Sequence, residues 1–236
     1  MKGATRRLGR TRFGRNLLFA GTIGDPRALR FSTARWWPDQ VRGFEDLVFL
    51  FSSNQLNHGI VSQELDEAAR LYHVARDVSD GSVVEIGRFM GGSTFLLAAA
   101  LQGRAELWSF DIHVEHEGGA TGAELDAELQ DALRRYGLDA AVHLVVGDSR
   151  SATPPDAPVR MLFIDGDHSY EGVAADWAHW EGALQPGGHV LFHDAVDHGG
   201  IGTTVEGVTQ LVDELNLRAD LIRQTDAGGI AHFVKR

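Results

Sequence analysis

Acidic residues end a series of short apolar runs in this chain. Glu85, Asp111, Asp148, Asp165 and Asp194 each stand at or just after the end of such a run. The runs alternate with segments of helical periodicity, which is the pattern of a parallel sheet with helices on its faces. In such sheets, ligands bind outside the carboxyl ends of the strands. We therefore expect these carboxyl groups to lie along one edge of the sheet, where they can bind the polar groups of a ligand.

The first of these acids opens a glycine-rich turn, residues 85–93, with the sequence EIGRFMGGS. Glycine has no Cβ and accepts positive φ, so such a turn lets a ligand approach the backbone closely. The spacing Gly87-x-x-x-Gly91 differs from the Gly-x-Gly-x-x-Gly fingerprint, which binds a dinucleotide pyrophosphate at a helix N-terminus. S-adenosylmethionine carries no phosphate, and we expect this cofactor here. Another adenosine ligand is the alternative.

The later acids fit the remaining parts of the same cofactor. Glu85 is expected to orient the turn or to bind the amino group of the cofactor. Asp111 follows Gly87 by 24 residues and is placed to accept both ribose hydroxyls. Asp148 and Ser149, after the third strand, can hold the edge of the adenine ring.

A metal site is the second expectation at this edge. The chain has no cysteine, so a bound metal must be held by oxygen or imidazole ligands. Asp165 and Asp194 close neighbouring strands, and carboxylates without thiolates suit Mg²⁺ or a similar hard ion. Loop histidines at the same edge are further candidates for a direct role, although each is also typical of a solvated loop; they are His113, His116, His193 and His198.

Hydrophobic periodicity predicts the elements that position these residues. Apolar runs predict strands at 82–86, 106–110, 142–146, 159–164 and 189–192, and a closing antiparallel pair at 217–224 and 230–234. Helical spacing predicts helices within 36–54, after an N-cap at Ser62, and at 93–101, 124–136, 170–184 and 205–215. The fold class is therefore α/β: a Rossmann-like, doubly wound, mostly parallel seven-stranded sheet with helices on both faces and an N-terminal helical or irregular extension. The glycine-rich loop 113–123 is predicted to be a lid over the acceptor.

The net charge of −11 is unevenly distributed. Residues 1–35 carry a net charge of +8, which leaves −19 on the rest of the chain. A basic arm is typical of a transit peptide or a nucleic-acid-binding arm, but the acidic body disfavours nucleic acid. We expect the arm to pack on this body, for example across the interface of a homo-oligomer. No apolar run reaches the roughly 20 residues that span a bilayer, so we expect no membrane span and a cytoplasmic location.

Three stretches carry a resemblance to a known family. They are VVEIG with GGST at 83–94, FIDGDHSY at 163–170 and LFHD at 191–194. They resemble class I S-adenosylmethionine-dependent methyltransferases. Within that class they are most similar to the metal-dependent sugar O-methyltransferases of the macrocin and mycinamicin type, and more distantly to the catechol type. The similarity covers about residues 55–236, so we expect a methyltransferase domain there and a basic extension with a helix at 1–54.

The resemblance implies metal ligands at Asp165, His193 and Asp194. His193 stands where the resembled enzymes usually carry an acid. Imidazole favours Mn²⁺ and the later transition metals over Mg²⁺. Either the metal differs here, or the two aspartates alone bind it and His193 serves as a base.

The catalytic base is implied in the same way. His168 resembles the general base of the mycinamicin type, and Asp167 matches that of the novobiocin type. We favour His168, because an imidazole titrates near neutral pH. The alternative for both residues is that they cap the helix that begins near Tyr170. Segment 59–63 resembles the piece that covers the methionine end of the cofactor in the catechol type. The expected cofactor-binding residues are Val61, Ser62, Glu85, Gly87, Gly91, Ser93, Asp111, Asp148, Ser149 and Asp165.

We therefore predict a divalent-metal-assisted O-methyltransferase that uses S-adenosylmethionine. Its expected partner is a small-molecule acceptor with a free hydroxyl, either a sugar or a natural-product scaffold, and not a nucleic acid. Fold does not fix function, so two alternatives stay open. One is a metal-dependent tailoring enzyme on the same fold, such as a hydroxylase. The other is a non-catalytic cofactor-binding subunit of an assembly.

Overall fold

A seven-stranded sheet forms the centre of the molecule. The computed structural model describes residues 30–33, 37–51, 60–113, 120–196 and 205–236. The strands are β1 Ser82–Ile86, β2 Glu106–Asp111, β3 Val142–Val146, β4 Val159–Ile164, β5 Leu184–Phe192, β6 Leu221–Arg223 and β7 Ala231–Lys235. They lie in the order β3-β2-β1-β4-β5-β7-β6. Strands β1 to β5 are parallel, whereas β7 is antiparallel to β5 and β6. The predicted mostly parallel α/β sheet is confirmed.

Helices pack on both faces of this sheet. Those in the described part of the chain are α1 Leu65–Arg76, α2 Gly92–Leu101, α3 Gly122–Arg135, α4 Tyr170–Trp180 and α5 Glu206–Leu215. Successive side chains of a strand point to opposite faces. In β4, Met161 and Phe163 join the core that α1, α2 and α3 cover, and Leu162 and Ile164 join the core under α4 and α5. None of the described helices is both long and apolar enough to cross a membrane.

Helix α2, directly behind the first strand, has no exposed face. Every residue of its sequence GSTFLLAAAL is buried. It begins after Gly91, whose φ is +83°, so the glycine-rich turn of β1 leads straight into the helix. The N-terminus of α2 is thereby fixed at the carboxyl edge of the sheet, where ligands of such sheets bind.

Segments that precede α1 complete the core around α2. The helical spacing over 36–54 corresponds to a short 3₁₀ helix, Phe44–Leu50, which buries Leu47 and Leu50. The ring centroid of Phe31 lies 5.4 Å from that of Phe95 in α2. The arm at 1–29, His116, His198 and the predicted domain boundary at 54 fall outside the described residues.

The predicted N-cap of α1 is wrong. Ser62 is exposed, and the helix begins three residues later, at Leu65. Glu64 occupies the cap position in an extended conformation, and its backbone N–H donates to the carboxylate of Glu67 at 2.6 Å. The Glu67 side chain therefore satisfies a backbone group at the helix start.

The predicted boundary between α4 and β5 also differs. The helix ends at Trp180, and β5 already begins at Leu184. The Pro-Gly-Gly stretch at 186–188 lies inside the strand, where the register against β4 is irregular. Proline, which cannot donate to a ladder, is tolerated at such a bulge.

Two histidines, the buried His232 and the half-buried His189, join β7 to β5 beneath α1. Arg70 Nη1 lies 3.2 Å from His232 Nδ1, and His232 Nε2 lies 2.9 Å from His189 Nδ1. A guanidinium can only donate, so His232 accepts at Nδ1 and donates its Nε2 proton to His189. Burial, together with the positive charges of His189, Arg70 and Arg223, lowers the pKa of His232 to about 3.

We expect this histidine to make folding stability fall with acidification. The unfolded chain binds a proton at His232 near its ordinary pKa of 6.5, whereas the folded chain does so only near 3. The contribution is complete above pH 6.5 and is lost towards pH 3, by up to about 1.4 kcal/mol per pH unit. In urea titrations between pH 4 and 6.5, His232→Gln should reduce this slope. His73→Gln, at an exposed position of α1, should not. Equal slopes for wild type and His232→Gln would contradict the prediction.

Candidate active site

The predicted acids do gather at one edge of the sheet. Asp111 ends β2, and Asp165 and Asp194 follow β4 and β5 by one and two residues. The ends of neighbouring strands are in register: Ile86, the last residue of β1, pairs with both Phe110 and Ile164. The edge therefore presents the carboxylates in a row on both sides of the turn that follows β1.

The turn after β1 is wedged between its neighbours. Gly87 has φ +94°, and a Cβ at this position would lie 2.1 Å from the carbonyl oxygen of Asp165. Its N–H donates to the Phe110 carbonyl, and the Asp165 N–H donates to the Ile86 carbonyl. Only glycine fits here, because a side chain would separate the turn from the residue that follows β4.

Glu85 lies beneath the turn rather than on its surface. It is fully buried, and its Oε2 accepts hydrogen bonds from the hydroxyls of Thr94 and Ser109. Burial raises the pKa of Glu85, although the neighbouring hydroxyls act in the opposite direction. Ser93, also buried, is among these hydroxyls. Of the two predicted roles of Glu85, this placement favours the orientation of the turn.

The carboxylate of Asp111 is bound by backbone amides. Its Oδ2 accepts from the N–H groups of Arg88 and Phe89 at 3.0 and 2.8 Å, and its Oδ1 accepts from that of His113 at 2.6 Å. The next residue, Ile112, is apolar and 63 % exposed. Asp111, the residue predicted to bind the ribose, is thus held by three backbone N–H groups beside the exposed side chain of Ile112.

Asp148 and Ser149 are engaged differently. Asp148 forms a two-pronged ion pair with Arg150 at the surface, with both distances 2.8 Å. Ser149 is buried, and its hydroxyl donates to Asp176 Oδ1 of α4 at 2.6 Å. The loop after β3 therefore contains a local ion pair and is joined to α4 through Ser149 and Asp176.

The segment that precedes α1 crosses the start of α2. A Cβ at Gly92 would lie 2.3 Å from the Ile60 carbonyl oxygen and 2.4 Å from Val61 Cα. Val61 is buried, whereas the Ser62 side chain is exposed. Gln63 is buried and donates from Nε2 to Asp165 Oδ2 at 2.9 Å. This segment thus joins the glycine-rich turn to the carboxylate cluster.

Three side chains form a group with metal-ligand spacing. One ligand atom each from Asp165, His168 and Asp194 lies within 4.8 Å of the others. His168 Nε2 is 3.3 Å from Asp165 Oδ1, and His168 Nδ1 is 3.7 Å from Asp194 Oδ2. Burial lowers the pKa of His168. The hydrogen bond to Asp165 and the negative charges of Asp165 and Asp194 raise this pKa by a larger amount, so it lies above its ordinary value. Asp194 has φ +54°, a strained conformation that is typical of functional positions.

His193 lies outside this group of three. Its Nε2 is 3.1 Å from Glu67 Oε2, and its Nδ1 is 3.1 Å from Asp165 Oδ1. Both nitrogens face carboxylate oxygens, so both donate and the ring is cationic. Burial opposes this charge, but Asp165, Glu67 and Asp194 raise the pKa of His193 well above its ordinary value. His193 is placed here as an internal cation, and its predicted role as a metal ligand stays a prediction.

The two predicted bases have different surroundings. Asp167 is exposed, and its Oδ1 accepts from the backbone N–H of Ser169. Ser169 is the N-cap of α4, where its hydroxyl accepts from the Gly172 N–H. His168 points into the cluster with Asp165 and is 38 % exposed at its side chain. The geometry therefore favours His168 over Asp167, as the sequence does.

Residues 84–195 match the model of a family described as "Methyltransferase domain". The matched segment runs from β1 to the residue after Asp194, so it includes the glycine-rich turn and the carboxylate row. Over this segment, slightly less than half of the chain, the protein is similar to methyltransferase domains.

Several solved structures share the fold of this chain. They include the O-methyltransferase TomG from Streptomyces achromogenes, solved in complex with SAM (20 % identity, 73 % of this chain and 81 % of that chain, TM-score 0.56). A putative caffeoyl-CoA O-methyltransferase from Staphylococcus aureus matches at 16 % identity over 75 % and 85 % of the two chains, with a TM-score of 0.58. A putative rRNA-methylase from Clostridium thermocellum matches at 17 % identity over 75 % and 100 %, with a TM-score of 0.55. At these identities the likeness by itself shows only the α/β fold; together with the family match it supports an S-adenosylmethionine-dependent methyltransferase.

Part of the site comes from the segment that precedes the matched residues. Gln63 contacts Asp165 and Glu67 contacts His193, both from outside the matched residues, and neither stands out in the sequence as a site residue. A detectable signal exists for Glu67, because it stands four residues before the buried Leu71 on the apolar face of α1. Asp176, four residues before the buried Trp180 in α4, carries the same signal.

Substitution of Gly92 should separate the segment at 60–63 from the domain. The added Cβ of Gly92→Ala meets backbone atoms, so we expect a loss of about 1–3 kcal/mol of stability. Gly182→Ala is the matched control, because a Cβ at Gly182 has no neighbour within 4 Å. Thermal denaturation of both variants tests this. A Gly92→Ala protein as stable as Gly182→Ala would show that the two backbones are not in close contact.

Proposed function

We propose that the chain is an O-methyltransferase that transfers the methyl group of S-adenosylmethionine to a hydroxyl of a small molecule. The observation that carries this proposal is the contact between Gly87 and the carbonyl of Asp165. It brings the glycine-rich turn and the cluster of Asp165, His168 and Asp194 to one place. Such an arrangement places the proposed cofactor site next to the groups that would bind the acceptor, as methyl transfer requires.

The proposed cofactor site extends from this turn along β2. Asp111 accepts from a ribose hydroxyl, and Ile112 offers an apolar surface to the adenine ring. Val146, 59 % exposed, pairs with Asp111 in the sheet and continues this surface on β3. Asp148 lies beyond it, near the expected polar edge of the base. Val61 closes the methionine end.

His168 is the proposed general base. Its side chain is 38 % exposed, compared with 14 % for Asp165 and Asp194, so it is the member of the cluster that an acceptor can reach. The imidazole takes the proton of the acceptor hydroxyl as the oxygen attacks the sulfonium methyl carbon. The bond between sulfur and this carbon breaks, and its electron pair stays on sulfur to give S-adenosylhomocysteine.

Asp165 and Asp194 would hold a divalent ion. Two carboxylates suit Mg²⁺ or Mn²⁺, and the nearby imidazole favours Mn²⁺. When bound, such an ion lowers the pKa of a coordinated hydroxyl. Gln63 contacts Oδ2 of Asp165 and His193 contacts Oδ1, and these two contacts limit the directions from which a ligand can approach the carboxylate.

The acceptor is proposed to be a sugar or another hydroxylated natural product. The net charge of −11 disfavours a polyanion such as nucleic acid as the acceptor. The O-methyltransferase activity named for two of the structural neighbours supports this acceptor class. The macrocin and mycinamicin type is the specific subfamily that we propose.

Calorimetry and methyl-transfer assays test the proposed function. Wild-type protein should bind S-adenosylmethionine and S-adenosylhomocysteine, and it should methylate members of a panel of hydroxylated small molecules more rapidly with Mg²⁺ or Mn²⁺ than with a chelator. His168→Gln should lower kcat by about 10²- to 10⁴-fold and leave the Kd of S-adenosylhomocysteine within threefold of wild type. His179→Gln, on α4, is the control and should retain activity.

Four outcomes would contradict parts of this function. Absence of binding to both adenosyl ligands would exclude the cofactor. Full activity of Asp165→Ala would exclude the metal. Cofactor binding without transfer to any acceptor, and with no response to metal, would favour a non-catalytic subunit. Oxidation of an acceptor in the presence of metal would favour the hydroxylase alternative.

A second prediction concerns the adenine surface. Ile112→Ala removes most of the exposed apolar side chain beside Asp111, so we expect the Kd of S-adenosylhomocysteine to rise about tenfold, since burial of such a side chain contributes about 1.5–3 kcal/mol. Leu217→Ala removes an 87 % exposed side chain after α5 and is the matched control. An unchanged Kd for Ile112→Ala would place the base elsewhere.

A further inference from the structure

Arg88 carries its positive charge inside the protein. It is 1 % exposed, although it belongs to the glycine-rich turn at the sheet edge. Its Nε and Nη2 donate to the two carboxylate oxygens of Asp126 at 2.7 and 2.8 Å, and its Nη1 donates to the Ser109 carbonyl at 2.6 Å. A buried guanidinium requires such pairing, and the two-pronged bond also sets its direction. The turn after β1 is thus anchored to α3.

The same carboxylate holds the residue that follows β2. His113 Nε2 lies 2.9 Å from Asp126 Oδ2. The backbone of His113 has φ +53°, a left-handed conformation that costs an ordinary residue about 1–2 kcal/mol. The contact with Asp126 offsets this cost, because it keeps the imidazole in place. One side chain of α3 therefore anchors two separate segments of the sheet edge.

These two segments supply the amides that orient Asp111. The N–H groups of Arg88 and Phe89 come from the first segment, and that of His113 comes from the second. A carboxylate has about four acceptor positions, so three N–H donors fix the direction of the remaining one. If either segment moves, Asp111 turns with it.

We propose that Asp126 is a positioning residue for cofactor binding. Through Arg88 and His113 it holds the Asp111 carboxylate in the orientation that accepts a ribose hydroxyl of S-adenosylmethionine. Asp126 itself bonds to these two side chains and not to the cofactor. This inference rests on the proposed function, because it assumes that Asp111 binds the ribose.

The test measures discrimination of the ribose hydroxyls rather than affinity alone. Calorimetry compares S-adenosylhomocysteine with its 2′-deoxy and 3′-deoxy analogues on wild type and on Asp126→Asn. Wild type should bind at least one deoxy analogue about tenfold more weakly than the parent, the cost of an unpaired polar group. In Asp126→Asn this ratio should fall below about threefold, because Asp111 no longer has a fixed direction. Asp131→Asn, at a 79 % exposed position of the same helix, should keep the wild-type ratio.

A second variant covers the case in which Asp126→Asn does not fold, since it leaves Arg88 buried without its partner charge. His113→Asn keeps the Arg88–Asp126 ion pair, and asparagine tolerates the left-handed backbone. It removes the imidazole that reaches Asp126, so its ratio should fall in the same direction.

The outcomes separate the inference from the function on which it rests. A folded variant that binds all three ligands more weakly by the same factor, with the ratio kept, would show a purely structural role and overturn the inference. Wild type that binds none of the three ligands would overturn the proposed function itself. Wild type that binds the parent and both analogues equally would remove the assumed ribose contact of Asp111, and the inference with it.

Discussion

The close packing of Gly87 against the carbonyl of Asp165 is the constraint on which the site depends. A Cβ at the residue after β1 would collide with the Asp165 carbonyl oxygen, so this position can carry no side chain. Because Gly87 has no side chain, the turn that leads into α2 lies directly against the residues that follow β4. The segment at 60–63 also approaches a glycine closely, because it crosses the start of α2 at Gly92.

Two cationic side chains inside the protein pair with acidic residues at this edge of the sheet. Arg88 is paired with Asp126, and the His193 ring lies between Glu67 and Asp165. A row of carboxylates at one edge would repel one another without such partners, and each buried charge is stable only when it is paired. Each cation also joins a helix to the sheet edge, α3 in the first case and α1 in the second. The electrostatic requirement and the positioning of the site are therefore met by the same contacts.

The sequence predicts most of the frame and only part of the site. Strand ends at Asp111, Asp165 and Asp194 follow from apolar periodicity, because that periodicity is dictated by burial in the sheet. The partners of these acids do not follow from it. Glu67 lies 126 residues from His193 along the chain, and only the tertiary fold brings α1 and the residue after β5 together. The cap of α1 escapes prediction for the same reason, since Glu67 serves both the helix start and His193.

Helix α2 has a consequence for how this chain can be divided. Because all of its faces are buried, it needs a cover on the side away from the sheet, and Phe31, Leu47 and Leu50 provide part of that cover. These residues precede the segment expected to form the methyltransferase domain, yet they belong to the same core as Phe95. In evolutionary terms, the extension and the domain must change together at these positions, because a smaller ring on one side leaves a cavity on the other.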